Sequence, residues 1–284
     1  MGVPFNETSI PGRHTIRYRV RDDHKGNPER EVEVLATPEE IRTFVRDGYL
    51  VRERLIPMEH VERLRQAFDE TLAHDDRIEK GGKRFGGAFM RHMMDKHPAF
   101  LEFLDFPPAV SVARALFGPF VQSRGFTGRV CYPDTPEQET VWHFHQRLVP
   151  DPLPPMFSRP QSLDILVYLD DIDDRNGPLC VLPGSHHWLE EDLSVNDVEE
   201  KPGQVVLRLP AGSCVMAHGA LWHRSLPTQP DCTIRRLLLF GFGPAWMKPA
   251  IYGKKPEDGL TRKLLERPDL DEETRELLGI AGYM

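Results

Sequence analysis

The chain has 284 residues, and 36 Lys and Arg stand against 44 Asp and Glu for a formal charge of −8. That balance excludes a general affinity for the nucleic-acid phosphate backbone, and charged residues at 28% interspersed with hydrophobic ones at 39% exclude a disordered tail protein. No apolar run approaches the ~18 residues of a membrane span, no signal peptide is expected from the first residues, and four cysteines without a CxxC pair read as buried thiols of a cytoplasmic protein.

Residues 14–34 predict a hairpin. Ile16, Tyr18 and Val20 alternate with Thr15, Arg17 and Arg19, Val32 and Val34 alternate with Glu31 and Glu33, and His24-Lys25-Gly26-Asn27 tolerates a left-handed backbone between them. Its edge offers a pairing surface for a homodimer. Thr37 as N-cap, Pro38 at the first helical position and Glu40 three residues on open a helix that carries Ile41, Phe44 and Val45 and stops near Asp47-Gly48. Tyr49-Leu50-Val51 reads as a short strand. A second helix over 58–73 puts Val61, Leu64, Ala67, Phe68 and Leu72 on one face. The charged segment 75–96, with Gly81-Gly82 and Gly86-Gly87, reads as a loop, and short helices are expected over 99–104 and 109–116.

From position 121 the texture turns to short β runs at 121–131, 141–149, 163–169, 179–182, 205–209, 213–217 and 234–242, which suggests a sandwich or barrel. Helix signals return after 256. The expectation is one α+β, mainly β domain over 1–284: a hairpin extension (1–36), a helical flank (37–120), a β core (121–248) and a helical tail (249–284).

Four constellations could carry chemistry. On a strand, His143, His145 and Arg147 share one face, and Trp142, Phe144 and Gln146 the other. Two imidazoles so placed can reach one metal ion; a polar face in solvent is the alternative. His223 follows about 80 residues later across several β runs, where a barrel would supply a third ligand and leave positions open for catalysis at iron. Arg235 and Arg236 point to opposite faces as they enter a run of leucines. Only one can bury its charge there, and a buried guanidinium needs an anion, which it can hold bidentately. The acidic turn at 170–174 lacks calcium-loop spacing, and His186 and His187, beside a proline turn, read as structural.

Taken in order, several stretches form a familiar pattern: Asp47-Gly48-Tyr49-Leu50-Val51, Trp142-His143, Tyr168-Leu169-Asp170-Asp171, Asn176-Gly177-Pro178-Leu179, Leu182-Pro183-Gly184-Ser185-His186, and Trp222-His223-Arg224-Ser225 followed by Arg235. The chain resembles the phytanoyl-CoA dioxygenase family of non-haem iron(II), 2-oxoglutarate-dependent oxygenases. The resemblance implies a double-stranded β-helix (jelly roll) with flanking N-terminal helices. It also implies iron(II) held by His143 and His223, and 2-oxoglutarate as cosubstrate with Arg235 on its distal carboxylate. It implies oxidation of a C–H bond in a small organic substrate; the charge balance and the lack of a long apolar run add the expectation of no nucleic-acid or membrane partner.

The chain departs from the family at one point. The family has His-x-Asp, and here the position two after His143 is His145. In one register His143, His145 and His223 form a three-histidine site. In the other, His145-Gln146 matches the family's His-Gln and Arg147 falls on the Asp position. The first is preferred, because a cation beside a divalent metal is repelled. Asp164, on a neighbouring strand, is a candidate for a compensating carboxylate. Arg147 and Arg91 are candidate substrate contacts. Two other readings stay open: a cupin-like three-histidine iron oxygenase that needs no 2-oxoglutarate, and an inactive binding homologue.

Overall fold

The computed structural model describes residues 2–21, 23–75, 78–80, 86–133, 135, 138–145, 152, 154–156, 161–188, 197–247 and 259–280. The hairpin forms as the alternation predicts: β1 (His14–Arg19) pairs antiparallel with β2 (Glu29–Val34), with His14 opposite Val34. Gly26 and Asn27 take positive φ in its connection. Val32 and Val34 are buried beneath it, and the Tyr18 hydroxyl donates to Arg114 O at 2.8 Å, fastening the hairpin to the helical flank.

Helix α1 (Pro38–Asp47) opens on the expected capping box. The Glu40 N–H donates to Thr37 Oγ1 at 3.2 Å, and the Thr37 N–H donates to the Glu40 carboxylate at 3.0 Å. The helix stops at Gly48, whose φ of 86° a side chain would strain. Strand β3 (Tyr49–Arg52) and helix α2 (Met58–His74) follow. The segment 75–96 is not wholly the expected loop, because it supplies β4 (Glu79–Lys80) and β5 (Ala88–Arg91). Gly86 and Gly87 stand just before β5 rather than in it, and Ala88 and Met90 are buried while Phe89 and Arg91 turn to the other face. Helices α3 (Pro98–Leu101) and α4 (Pro107–Phe117) complete the flank.

The β-rich half contributes β6 (Val121–Ser123), β7 (Thr127–Cys131), β8 (Leu163–Tyr168), β9 (Leu179–Val181), β10 (Val205–Leu207), β11 (Cys214–His218), β12 (His223–Ser225) and β13 (Arg235–Pro244). The short helices α5 (Leu260–Leu265) and α6 (Glu272–Leu277) form the tail. A large antiparallel sheet runs β3-β11-β8-β13-β7-β5-β4, with β6 on the far end of β13, and a small one runs β10-β9-β12. The large sheet thus takes β3, β4 and β5 from the segment expected to be helical flank. Of the run expected over 141–149, the described residues 141–145 make an isolated bridge, His143 opposite His223, on the open edge of the small sheet. Residues 146–149 lie outside the described set.

Strand alternation sorts the side chains into layers. On one face of the large sheet Ile165, Val167, Leu238, Phe240, Phe242 and Met216 pack against Phe44, Phe68, Phe100 and Phe103 of the helical layer. On the other face Leu166, Tyr168, Val215 and Leu237 meet Leu179, Val181 and Leu207 of the small sheet. Two facing antiparallel sheets around a shared interior, with helices covering the larger one, are the expected jelly roll.

Candidate metal centre

His143 and His223 sit directly opposite one another. Each N–H donates to the other's carbonyl at 3.0 Å, and a closed antiparallel pair of this kind sends both side chains to the same face. His145, two residues on, shares that face and is held by its N–H donating to Gly219 O at 2.8 Å. Trp142 and Phe144 point the other way, into a separate cluster with Cys180, Leu182 and Trp222. The Trp142 indole N–H donates to Glu199 O at 2.7 Å. The alternation expected for this segment therefore holds over 142–145, although one bridge replaces a full strand.

The three rings converge, with centroids 4.3 Å apart for His143 and His223, 4.8 Å for His145 and His223, and 5.5 Å for His143 and His145. One ligand atom from each lies within 4.8 Å of the others, so the trio could hold a metal ion. Each Nδ1 already has an acceptor: Val141 O at 2.8 Å for His143, Asp164 Oδ2 at 2.8 Å for His145, and Leu221 O at 2.9 Å for His223. A carbonyl or carboxylate there requires a proton on Nδ1, so Nε2 is the metal-facing atom of each ring. This donor set fits a divalent transition metal such as iron(II). Burial alone would push the Asp164 carboxyl up, but His145, Arg124 and His223 outweigh it and hold it below the usual carboxylate range.

Deeper in the barrel lie two buried arginines. Arg235 is 2% exposed and Arg129 7%. Register puts Arg235 opposite Cys131 and Leu237 opposite Arg129, all on the interior face. Arg235 Nη2 lies 2.9 Å from Cys131 Sγ. Arg129 donates to Gly86 O at 2.6 Å, Gln138 O at 3.2 Å and Ser225 Oγ at 3.1 Å. Among the described residues no carboxylate is paired with either guanidinium. Burial brings Arg129 down to about 10, still a cation at neutral pH. Burial would raise the Cys131 thiol, yet the two guanidiniums hold it below its ordinary value. Tyr168, beside them, is pushed up to about 12 by burial.

Arg236 faces the opposite way, as the alternation predicts. It takes Asp69 through Nε at 2.8 Å and Nη2 at 2.9 Å, and Asp170 through Nη1 at 3.0 Å. Arg91 lies on the barrel-facing side of β5, with Nη1 3.4 Å from Thr127 Oγ1 and its guanidinium over Phe89. Arg147 lies outside the described residues. His186 and His187 donate to Val45 O at 3.0 and 2.8 Å, away from the triad, which is the structural role expected of them. Arg129 and Tyr168 also line this interior, and neither stands out in the sequence as a site residue, because β7 and most of β8 are buried and show no contrast between polar and apolar sides.

The family model described as phytanoyl-CoA dioxygenase (PhyH) matches residues 44–237. Ectoine dioxygenase of Bordetella parapertussis is 30% identical over 166 residues, covering 52% of this chain and 49% of its own. L-proline trans-4-hydroxylase of Streptomyces griseoviridis is 29% identical over 148 residues, covering 51% and 53%. The chain thus spans about half the length of the curated relatives it matches. Among solved structures, HygX from Streptomyces hygroscopicus with nickel, 2-oxoglutarate and hygromycin B bound superposes with a TM-score of 0.61 at 18% identity, over 76% of this chain and 90% of its own. The alpha-ketoglutarate-dependent carbocyclase SnoK from nogalamycin biosynthesis gives 0.59 at 19%, over 77% and 94%. At such identities these two show the fold alone. Because the family model matches more than half of this chain, the chain belongs to the phytanoyl-CoA dioxygenase family.

Proposed function

We propose that the protein is an iron(II)- and 2-oxoglutarate-dependent oxygenase that oxidises a C–H bond of a small organic substrate. The observation that carries this is the meeting, in one barrel, of three imidazoles suited to a metal with buried arginines that pair with no carboxylate among the described residues. The curated relatives are named for ectoine and L-proline, and a structural neighbour holds 2-oxoglutarate.

In this reading His143, His145 and His223 hold iron through Nε2. Bound iron supplies the activation of O₂, by which 2-oxoglutarate becomes succinate and CO₂ with one oxygen atom while the other enters the substrate C–H bond. Arg235 pairs with the distal carboxylate of 2-oxoglutarate, and Arg129 adds a second fixed positive charge beside it. Tyr168, protonated at neutral pH, can donate a hydrogen bond there. Leu166, Leu237, Val181 and Leu207 keep bulk water from this end of the barrel. Arg91, nearer the level of Thr127, is the candidate contact for an anionic group on the substrate; Arg147 has the same proposed role. The reading also takes 1–284 as a single domain in the cytoplasm, with the outer edge of β1 available to a second copy.

The test is a screen of small amino-acid-like substrates, beginning with ectoine and L-proline, on apo-protein reconstituted with iron(II). Succinate formation that requires added 2-oxoglutarate and is lost in His223→Ala is the expected result. Substrate oxidation without 2-oxoglutarate would favour the cupin-like alternative. Absence of metal uptake would favour the binding homologue.

A further inference from the structure

We propose that Asp164 is the carboxylate of this metal centre, moved from the metal to the ring behind it. It fixes His145 for the ion and returns the negative charge that a His-x-Asp pair would have placed on the metal. The inference rests on reading the triad as a metal centre and says how that centre works without an acidic ligand.

The argument starts from which ring the carboxylate backs. His143 and His223 give their Nδ1 protons to backbone carbonyls, neutral acceptors supplied by Val141 and Leu221. The Nδ1 proton of His145 goes instead to a carboxylate, Asp164 Oδ2 at 2.8 Å. In the preferred register His145 is also the residue that stands where the family has Asp. Three neutral imidazoles leave a divalent ion with its full charge of +2, whereas two imidazoles and a carboxylate leave +1. A carboxylate bonded to the far nitrogen of one imidazole brings the group back to +1 and makes that ring a stronger donor.

The neighbouring strand leaves room for Asp164. It lies on the barrel-facing side of β8 with Leu166 and Tyr168, where an unpaired carboxylate would be costly. Its side chain is 14% exposed. Register places Gly241 of β13 directly opposite. A Cβ at Gly241 would lie 3.2 Å from Asp164 Oδ1 and 2.6 Å from Leu163 O. A glycine at this position therefore makes room for the carboxylate that reaches His145.

The experiment is a calorimetric titration of apo-protein with nickel(II), compared across variants and repeated with cobalt(II) to follow its visible ligand-field bands. Asp164→Asn is expected to weaken metal binding about 10- to 100-fold and to shift the cobalt bands. Asp164→Glu, which keeps the charge, is expected to retain more affinity than Asp164→Asn. The decisive comparison is made in His145→Asp, which restores the family's pair. There Asp164→Asn should cost nothing, or tighten binding by removing a second carboxylate beside the first. A residue that merely stabilised the fold would cost the same in both backgrounds. If Asp164→Asn does not fold, Asp164→Ser takes its place in the same cycle. Equal loss in the two backgrounds, or none in either, overturns the role of Asp164. Failure of the wild-type protein to bind metal would instead overturn the metal-centre reading itself.

Discussion

Arg129 and Arg235 project from neighbouring strands into the interior on the same face of the large sheet, with the Cys131 thiol beside both, and that arrangement favours an anion. Both are nine-tenths or more buried, and among the described residues neither pairs with a carboxylate. Arg129→Met is therefore expected to weaken 2-oxoglutarate binding about 10-fold or more, in line with the loss of a charge-assisted contact, and to leave nickel affinity unchanged. Calorimetry with each ligand separately checks the split; loss of both together would mean that Arg129 only supports the fold. The three histidines could be named as candidates from their spacing in β-like runs, whereas the choice of Arg235 over Arg236 came from the family resemblance. Arg129 was not legible, because β7 is buried on both faces and offers no contrast between polar and apolar sides. Asp164 could be named from the sequence as a compensating carboxylate on a neighbouring strand, but that it reaches the Nδ1 side of His145 is a long-range contact that only the structure shows.

Among the elements, two connections hold the site in place. Gly177, in the turn before β9, has φ +75, and a Cβ there would meet Arg235 Nη1 at 2.7 Å and Leu226 O at 2.6 Å. Gly177→Ala should thus both strain the turn and displace the guanidinium. The expected result is weaker 2-oxoglutarate binding with nickel affinity kept, measured by the same two titrations. His186 ties the loop after β9 to the last turn of α1 through Val45 O. Burial is the main force lowering its pKa, and His187 adds to it. The neutral ring is therefore the folded form. Its contribution to stability is full above the ordinary histidine value of about 6.5 and is lost as pH falls through that value toward the lower folded one. Between pH 7.5 and 5.5 the wild-type urea midpoint should drop further than that of His186→Gln; an equal drop would contradict this assignment. The capping box of α1 was legible residue by residue, since local hydrogen bonds set it. Strand β5 was hidden, because its pairing with β7 is a long-range fact and its surroundings carry the glycines and charges of a loop.

For the molecule as a whole, the large sheet separates stability from chemistry. Its outer face carries Phe240, packed against Phe103 at 5.1 Å and Phe126 at 4.9 Å between ring centroids. Its inner face carries the arginines and Asp164. Phe240→Ala should cost about 3–5 kcal/mol of stability by denaturant unfolding, while the protein that remains folded keeps its nickel affinity. A large change in affinity would show that the two faces are not independent. The mainly β class and the helical flank could be read from the texture of the chain. Which segments join the large sheet could not, because β3 and β5 are recruited from between helices by contacts far apart in the chain.

The central claim is that the three imidazoles and Arg235 hold iron(II) and 2-oxoglutarate together in one barrel. It is tested most directly by titrating iron(II) anaerobically into apo-protein with 2-oxoglutarate and recording the visible spectrum. The expected result is the weak charge-transfer band of the keto acid chelated to iron, saturating at one iron per chain and absent in His223→Ala. A wild-type protein that shows no band at saturating 2-oxoglutarate, or the same band in His223→Ala, would contradict the account.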